Sequence, residues 1–199
     1  MPDYRKEWLQ KADIDYFAPF VNLWLACNSW YKSHYSDLSS ANDRDFINAI
    51  KKDYSGRNHL FVNFKRIIAS PAMEGIYFRS NLEQLHYSLE RVRLSPERID
   101  HCSFTSAVTD YSQPDVVENL IIEPKINKDG SIRSDFQDKV IKCDEIYISS
   151  DLNKLFSGLF EIIYQVRNIL VHGSLNPRQD EHNVVKYCYL ILWSLINEG

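Results

Sequence analysis

The sequence is poor in glycine, has no closely paired cysteines and contains no long apolar run. Its six glycines form neither GxGxxG nor GxxxxGK[ST], which excludes the common glycine-rich loops for nucleotide phosphates. The four cysteines (Cys27, Cys102, Cys143 and Cys188) lie far apart without a CxxC pair. We therefore predict reduced, mostly buried thiols, with neither disulfides nor bound zinc. The missing signal region and the absence of about 18 consecutive apolar residues predict a cytoplasmic protein.

The charge distribution is uneven along the chain. The net charge of −4 gives no overall support for binding nucleic acid. Residues 44–98 nevertheless carry ten Lys or Arg against six Asp or Glu, whereas residues 100–161 carry six against twelve. The basic part could face a polyanion, or its charges could be ordinary solvated helix faces, and charge alone leaves both interpretations open.

Apolar residues, 44% of the chain, recur at helical spacing along most of it. Asp13 or Asp15 is expected to cap a first helix that runs to about Tyr31, on whose buried face Asn28 falls. The motif Ser80-Asn81-Leu82-Glu83 predicts a capping box. Further helices are predicted near Asp43, over 60–68, after Asp151, and over about 180–197.

Residues 96–148 have a different composition, because Thr, Val and Ile there alternate with polar residues. Asn127-Lys128-Asp129-Gly130 is a strong turn signal, and a β-hairpin would pair about 120–125 with 131–136. The sequence as a whole predicts a mostly α fold. We expect one domain over 1–199, an antiparallel helical bundle of five or six helices with an irregular insertion at about 96–148.

The most informative stretch lies near the end of the longest apolar helix. Arg167 and His172 stand five positions apart, and Gly173 suits the left-handed position that terminates helices. A guanidinium can hold a phosphate oxygen while an imidazole moves a proton near neutral pH. Five residues turn about 140° net on an ideal helix, so Arg167 and His172 need not share a face, whereas Asn168 and His172 would. The structural alternative makes His172 a partner of free helix carbonyls, and Arg167 an ion-pair partner of the acidic insertion.

Residues 166–174, VRNILVHGS, resemble the signature of the HEPN superfamily, an Arg, a polar residue, three further residues, then His and Gly. Residues 23–31, which contain Asn28, resemble the aromatic first helix of many stand-alone members. The resemblance covers about half of the chain. It implies an α-helical bundle that dimerises and, in catalytic members, a metal-independent endoribonuclease without cofactors. It also implies a toxin, defence or RNA-processing role, with an antitoxin or neighbouring defence protein as a partner.

The residue roles that this resemblance implies agree with the chemistry of RNA, in which a 2′-hydroxyl lies beside each scissile phosphate. Arg167 would hold the phosphate, His172 would transfer protons, and Asn168, Gly173 and Asn28 would support them. Asn28 could instead tie the first helix to a neighbouring backbone. Two hypotheses remain: a ribonuclease acting on tRNA or mRNA, and a non-catalytic module that binds nucleotide or RNA or docks a partner protein.

Overall fold

The computed structural model describes residues 14–38, 42–92, 102–110, 112–113, 116–175 and 179–197. This part of the chain is mostly helical and also contains two small antiparallel sheets. Its helices are α1 (Phe17–His34), α2 (Asp43–Lys52), α3 (His59–Ala69), α4 (Met73–Arg91), α5 (Ser134–Gln137), α6 (Leu152–Val171) and α7 (Gln179–Ile196). The strands are β1 (Ala107–Val108), β2 (Val117–Glu118), β3 (Val140–Cys143) and β4 (Ile146–Ser149). A single 3-10 turn, Ser36–Leu38, follows α1.

Polar caps explain where two of the predicted helices begin. Asn42 accepts a hydrogen bond from the backbone N–H of Asp45, and the Asp45 carboxylate accepts from Asn42 in return. Asp151 accepts from the N–H of Lys154 and begins α6, as predicted. The predicted cap of α1, Asp13 or Asp15, is wrong, because the N-cap residue is Tyr16. The Asp15 carboxylate nevertheless accepts a hydrogen bond from the backbone N–H of Phe17 at 2.9 Å.

The predicted capping box at Ser80–Glu83 is wrong. Both residues lie inside α4, a continuous helix of 19 residues that begins at Met73. Glu83 is buried, and its carboxylate accepts a hydrogen bond from the backbone N–H of Glu145 at 3.2 Å. The motif therefore fails because a tertiary contact, rather than a helix end, uses the glutamate.

Helix α6 is the central element of the core. Every residue from Leu155 to Tyr164 is buried, as expected for a helix covered on all sides. Helix α2 packs against α6, while α7 packs against α1, α3 and α4. A Cβ atom added at Gly158 would come within 2.8 Å of the Leu120 side chain, so this glycine allows the insertion to approach α6 closely.

The insertion contains the predicted hairpin only in part, together with a regular hairpin that was not predicted. The turn at 127–130 is confirmed, with the N–H of Asn127 donating to Ser131 O at 2.8 Å and Ile126 bridging Ile132. The predicted pairing holds only beside this turn, where the N–H of Arg133 donates to Lys125 O at 2.9 Å. Further along it is wrong, because 134–137 is helical and Ile121 bridges Ile148 of β4 instead. The regular hairpin joins β3 to β4 through Asp144 and Glu145. Its two-residue turn lacks glycine and therefore carries no strong turn signal, although Asp144 adopts a left-handed φ of 42°.

The four cysteines are buried, as predicted. Burial raises the pKa of Cys27 and of Cys102 to about 12, which keeps both as neutral thiols. Over the described ranges, none of the helices is both long enough and apolar enough to cross a bilayer.

Candidate active site at the end of helix α6

Backbone geometry fixes where α6 stops. His172 is the C-cap residue, and Gly173 follows in the left-handed region at φ 66°. The N–H of Ser174 donates to Ile169 O at 3.0 Å, and the N–H of Gly173 donates to Leu170 O at 3.1 Å. These two bonds form a Schellman motif, which needs a left-handed residue after the cap. The predicted helix-ending role of Gly173 is confirmed.

Arg167 is held at the rim of the core by three neighbours. Its Nη1 donates to Asn168 Oδ1 at 2.9 Å, and its Nη2 lies 3.4 Å from Asp43 Oδ2. The guanidinium carbon lies 5.5 Å from the centre of the Trp24 ring, within the range of a cation–π contact. The Arg167 side chain is 18% exposed. It is therefore neither sealed in the interior nor fully solvated.

The ion-pair partner of Arg167 differs from the one considered from sequence. We considered the acidic insertion, but the partner is Asp43, the first residue of α2. Asp43 also accepts a hydrogen bond from the Tyr31 hydroxyl at 3.4 Å and lies 3.9 Å from Lys32 Nζ. Burial and then the Asp43 charge raise the pKa of Tyr31, so its hydroxyl remains protonated.

His172 lies on the exposed end of α6. Its backbone N–H donates to Asn168 O at 3.0 Å. Within the ranges that the structure describes, no contact joins its imidazole to Arg167. The structure thus brings Arg167 and Asn168 together and leaves His172 on the same helix end with its ring in solvent.

Asn28 is half-buried on α1 between Trp24 and Tyr31, both of which neighbour the Arg167 site. Trp24 and Tyr31 are almost fully buried, so both rings pack in the core. Two buried donors here, Arg167 Nε and Trp24 Nε1, have no hydrogen-bond acceptor among the described residues. An unsatisfied buried donor costs about 1–3 kcal/mol, so this corner of the core carries a local cost.

A second polar cluster on α6 escaped the sequence analysis. Glu161, 2% exposed, accepts two bonds from Arg44 Nη1, at 2.8 and 2.7 Å, and one from Lys51 Nζ at 2.7 Å. Gln165 donates to the same carboxylate at 2.7 Å, and Lys51 also donates to Val108 O. Burial would raise the pKa of Glu161, but Lys51 and Arg44 outweigh it and hold the pKa below its usual value.

The sequence contains one feature that indicates this buried ionic cluster. Glu161 is the only charged residue between Leu155 and Val166, a stretch otherwise typical of a buried helix. A lone carboxylate in such a run demands a cationic partner, because an unpaired buried charge is too costly. Its partners belong to the basic segment 44–98, so two of those cations serve the core rather than a polyanion-binding face.

The arrangement at the end of α6 offers a partly exposed guanidinium, an amide and a solvated imidazole. Elsewhere among the described residues, no group of three or more His, Cys, Asp or Glu side chains could hold a metal ion. Comparisons with family models, with curated proteins and with solved structures found no match to this chain. The chemical interpretation of the site therefore depends on its residues and on the resemblance described above.

Proposed function

We propose that the protein is a metal-independent endoribonuclease of the HEPN type, acting in the cytoplasm as a toxin or defence effector. In this proposal one helical domain, an antiparallel bundle, carries the site and acts as a homodimer on tRNA or mRNA. The observation that carries the proposal is the position of Arg167, a rim guanidinium that remains partly exposed on the helix end bearing the exposed His172.

The chemistry requires Arg167, His172, a second imidazole and the substrate. His172 in its neutral form removes the proton from the RNA 2′-hydroxyl, whose oxygen attacks the adjacent phosphorus. Arg167 stabilises negative charge on the non-bridging oxygens. The 5′-oxygen leaves with a proton from a second imidazole. The products are a 2′,3′-cyclic phosphate and a 5′-hydroxyl.

A homodimer would supply the second imidazole. Within one chain the His172 ring lies away from Arg167 contacts, so one subunit presents the phosphate clamp and a single proton-transfer group. A second copy of the α6 end would bring another His172 to the same scissile bond. Asn168, hydrogen-bonded to Arg167 at 2.9 Å, would orient the guanidinium, while Gly173 would fix the helix end and Asn28 would border the cleft.

One observation favours the alternative, a non-catalytic module that binds nucleotide or RNA or docks a protein such as an antitoxin. The Asp43 carboxylate already neutralises Arg167, and the chain is acidic overall. Tight RNA binding normally shows a clear basic footprint. A phosphate would have to compete with Asp43, although the 3.4 Å ion pair is longer than the usual 2.7–2.9 Å of a charge-assisted bond.

The test is RNA cleavage by purified protein in EDTA, comparing wild type with His172→Ala. The matched control is His34→Ala, because His34 is also at the end of a helix, the last residue of α1, but lies against Trp30. We expect cleavage by wild type and by the control, with cyclic phosphate ends, and its loss in His172→Ala. Cleavage that needs added metal, or that survives His172→Ala, contradicts the proposal. Salt-dependent RNA binding without products supports the alternative.

A further inference from the structure

Strand β3 has an open edge. It pairs with β4 in the register Val140↔Ser149, Ile141↔Ile148, Lys142↔Tyr147 and Cys143↔Ile146. The opposite edge of β4 is occupied, because the N–H of Ile122 donates to Tyr147 O at 2.8 Å and the N–H of Ser149 donates to Leu120 O at 2.9 Å. Among the described residues the sheet therefore ends at β3.

The register shows which β3 groups face outward. In an antiparallel pair, opposite residues either exchange both backbone bonds or point them away from each other. Tyr147 and Ser149 turn theirs toward 120–122, so their partners Lys142 and Val140 turn theirs toward the open edge. Among the described residues, these outward N–H and C=O groups of Val140 and Lys142 have no backbone partner.

A groove of about 560 Å³ runs along this edge. Val140, Ile141 and Lys142 line one side, and the turn between α3 and α4 lines another. The turn is held tightly, because a Cβ atom at Gly75 would come within 2.9 Å of three backbone atoms, two of Ser70 and one of Ile67. An adjoining groove of about 360 Å³ shares Arg79 and Lys142. Volumes of this size hold ligands in many proteins.

The charge lining the larger groove is positive only. Among the residues that the structure describes, the charged side chains of its lining are Arg79 and Lys142, and no carboxylate lines it. Arg79 Nη1 donates to Ile68 O and Ser70 O, both at 2.9 Å, which are carbonyls at the end of α3. No described carboxylate forms an ion pair with either cation, although Asp144 lines the adjoining groove. The remaining lining is largely apolar, including Ile68, Pro71 and Leu152.

We infer that the β3 edge binds an extended acidic segment of a partner protein by strand addition. The outward groups of Val140 and Lys142 supply the backbone bonds that such recognition uses. Because side chains alternate along an added strand, apolar residues of the partner meet the apolar lining while carboxylates meet Lys142 and Arg79. An edge lysine usually discourages strand pairing, but here a carboxylate in the partner turns it into an attractive group. This inference is independent of the proposed ribonuclease activity.

The probe is a fluorescent hexapeptide with blocked ends that alternates glutamate and valine, titrated against the whole chain. We expect saturable binding with a Kd below about 1 mM. A peptide that alternates lysine and valine should not bind. We expect N-methylation of the backbone along one edge of the glutamate–valine peptide to weaken its binding at least about tenfold. The reason is that N-methylation removes hydrogen-bond donors.

Two substitutions of Lys142 separate the contribution of its charge to binding from that of its backbone N–H. Lys142→Ala should weaken binding by about threefold to tenfold, since it removes a charge at the rim of the groove. Lys142→Pro also removes the outward N–H, and should weaken binding by about a further fivefold. Lys128→Ala, an exposed lysine of the 127–130 turn, is the matched control and should bind as wild type does. Circular dichroism verifies that each variant is folded.

Five results would overturn the inference. The glutamate–valine peptide fails to saturate, or the N-methylated peptide binds as tightly as the parent. Lys142→Pro, when folded, binds as Lys142→Ala does. A single-stranded oligouridylate binds instead of the peptide, with the same sensitivity to Lys142→Ala. The chain dimerises through this edge, shown by Lys142→Pro abolishing the dimer, without binding the peptide.

Discussion

Helix α6 contains two charged positions that the fold treats in opposite ways. Glu161 lies in the middle of the helix, 2% exposed, with short bonds to two cations. Arg167 lies six residues further along, 18% exposed, with one ion pair at 3.4 Å to a carboxylate that is itself 31% exposed. The same helix thus carries a closed ionic cluster and an open one.

The difference distinguishes a charge that is closed to ligands from one that a ligand can still reach. At Glu161 every strong contact is short and comes from the protein, so a ligand has nothing to add there. At Arg167 the pairing is long and partly solvated, so a phosphate could replace the carboxylate at small cost. A charge that is partly paired at the rim fits a binding role better than one satisfied in the core.

We expect Glu161→Gln to destabilise the protein more than any other substitution at these two clusters. Removing the carboxylate charge leaves Lys51, 1% exposed, without its ion-pair partner. Breaking a buried pair by removing one partner costs about 3–5 kcal/mol, so the free energy of unfolding should fall by that amount. Urea denaturation with linear extrapolation measures it.

The matched control for Glu161→Gln is Glu74→Gln. Glu74 forms an equally short ion pair, 2.8 Å to Arg66, but both side chains are about half exposed. Exposed pairs contribute about 0–1 kcal/mol, so the control should change little. Equal losses in the two variants would mean that burial does not distinguish the Glu161 cluster.

The pH dependence gives a second test of the Glu161 cluster. The folded pKa of Glu161 is lowered, since Lys51 and Arg44 outweigh the raising effect of burial. A lowered carboxylate pKa contributes stability that is present above the unfolded value of about 4.5 and lost as pH falls through the folded value. The difference in unfolding free energy between wild type and Glu161→Gln should therefore shrink on going from pH 7 toward pH 3. A constant difference across that range would contradict it.

Local patterns predicted the helices well, because their signals are contained in neighbouring residues. The caps at Asp151 and Gly173 and the apolar spacing of α6 all operate within one or two turns. Local reasoning failed at Ser80–Glu83, where Glu83 accepts a hydrogen bond from the distant Glu145 instead of capping a helix.

Long-range pairings could not be read from the sequence. Asp43 lies 124 positions from Arg167, and Lys51 lies 110 positions from Glu161. Nothing in the chain between them indicates which of 27 acidic residues meets which cation. We considered the acidic insertion as the ion-pair partner of Arg167, because that segment contains the most acidic residues. The β3–β4 hairpin was missed because Asp144 takes a left-handed conformation usually reserved for glycine or asparagine.

A third prediction concerns the backbone that ends α6. Gly173→Ala forces a Cβ into the left-handed region at φ 66°, so the free energy of unfolding should fall by about 1 kcal/mol. Apart from the two chain neighbours, no atom of the described residues lies within 4 Å of the new methyl group, so conformation alone causes the loss. Gly56→Ala is the control, since Gly56 is equally open but has no positive φ. Thermal unfolding measures the stability of both variants. A loss of stability at Gly173 no larger than that at Gly56 would show that the left-handed cap does not contribute to stability.

The smallest expected effect tests the open cluster directly, and it depends on the proposed function. Asp43→Asn removes the carboxylate that pairs with Arg167 but leaves the capping box of α2, which uses Asn42 and Asp45. In a His172→Ala background that prevents cleavage, single-stranded RNA should bind about threefold more tightly, since a phosphate no longer competes with Asp43. Fluorescence anisotropy at fixed salt measures this affinity.

Asp37→Asn is the control for charge alone, because Asp37 is exposed and lies outside the cluster around Arg167. Both substitutions remove one negative charge and should raise RNA affinity slightly through the overall field. Only Asp43→Asn also frees the guanidinium, so its gain should exceed that of Asp37→Asn. Equal gains would mean that Arg167 does not contact phosphate. A loss specific to Asp43→Asn would mean that the carboxylate holds Arg167 in its binding position, and would make Asp43 a positioning residue rather than a competitor.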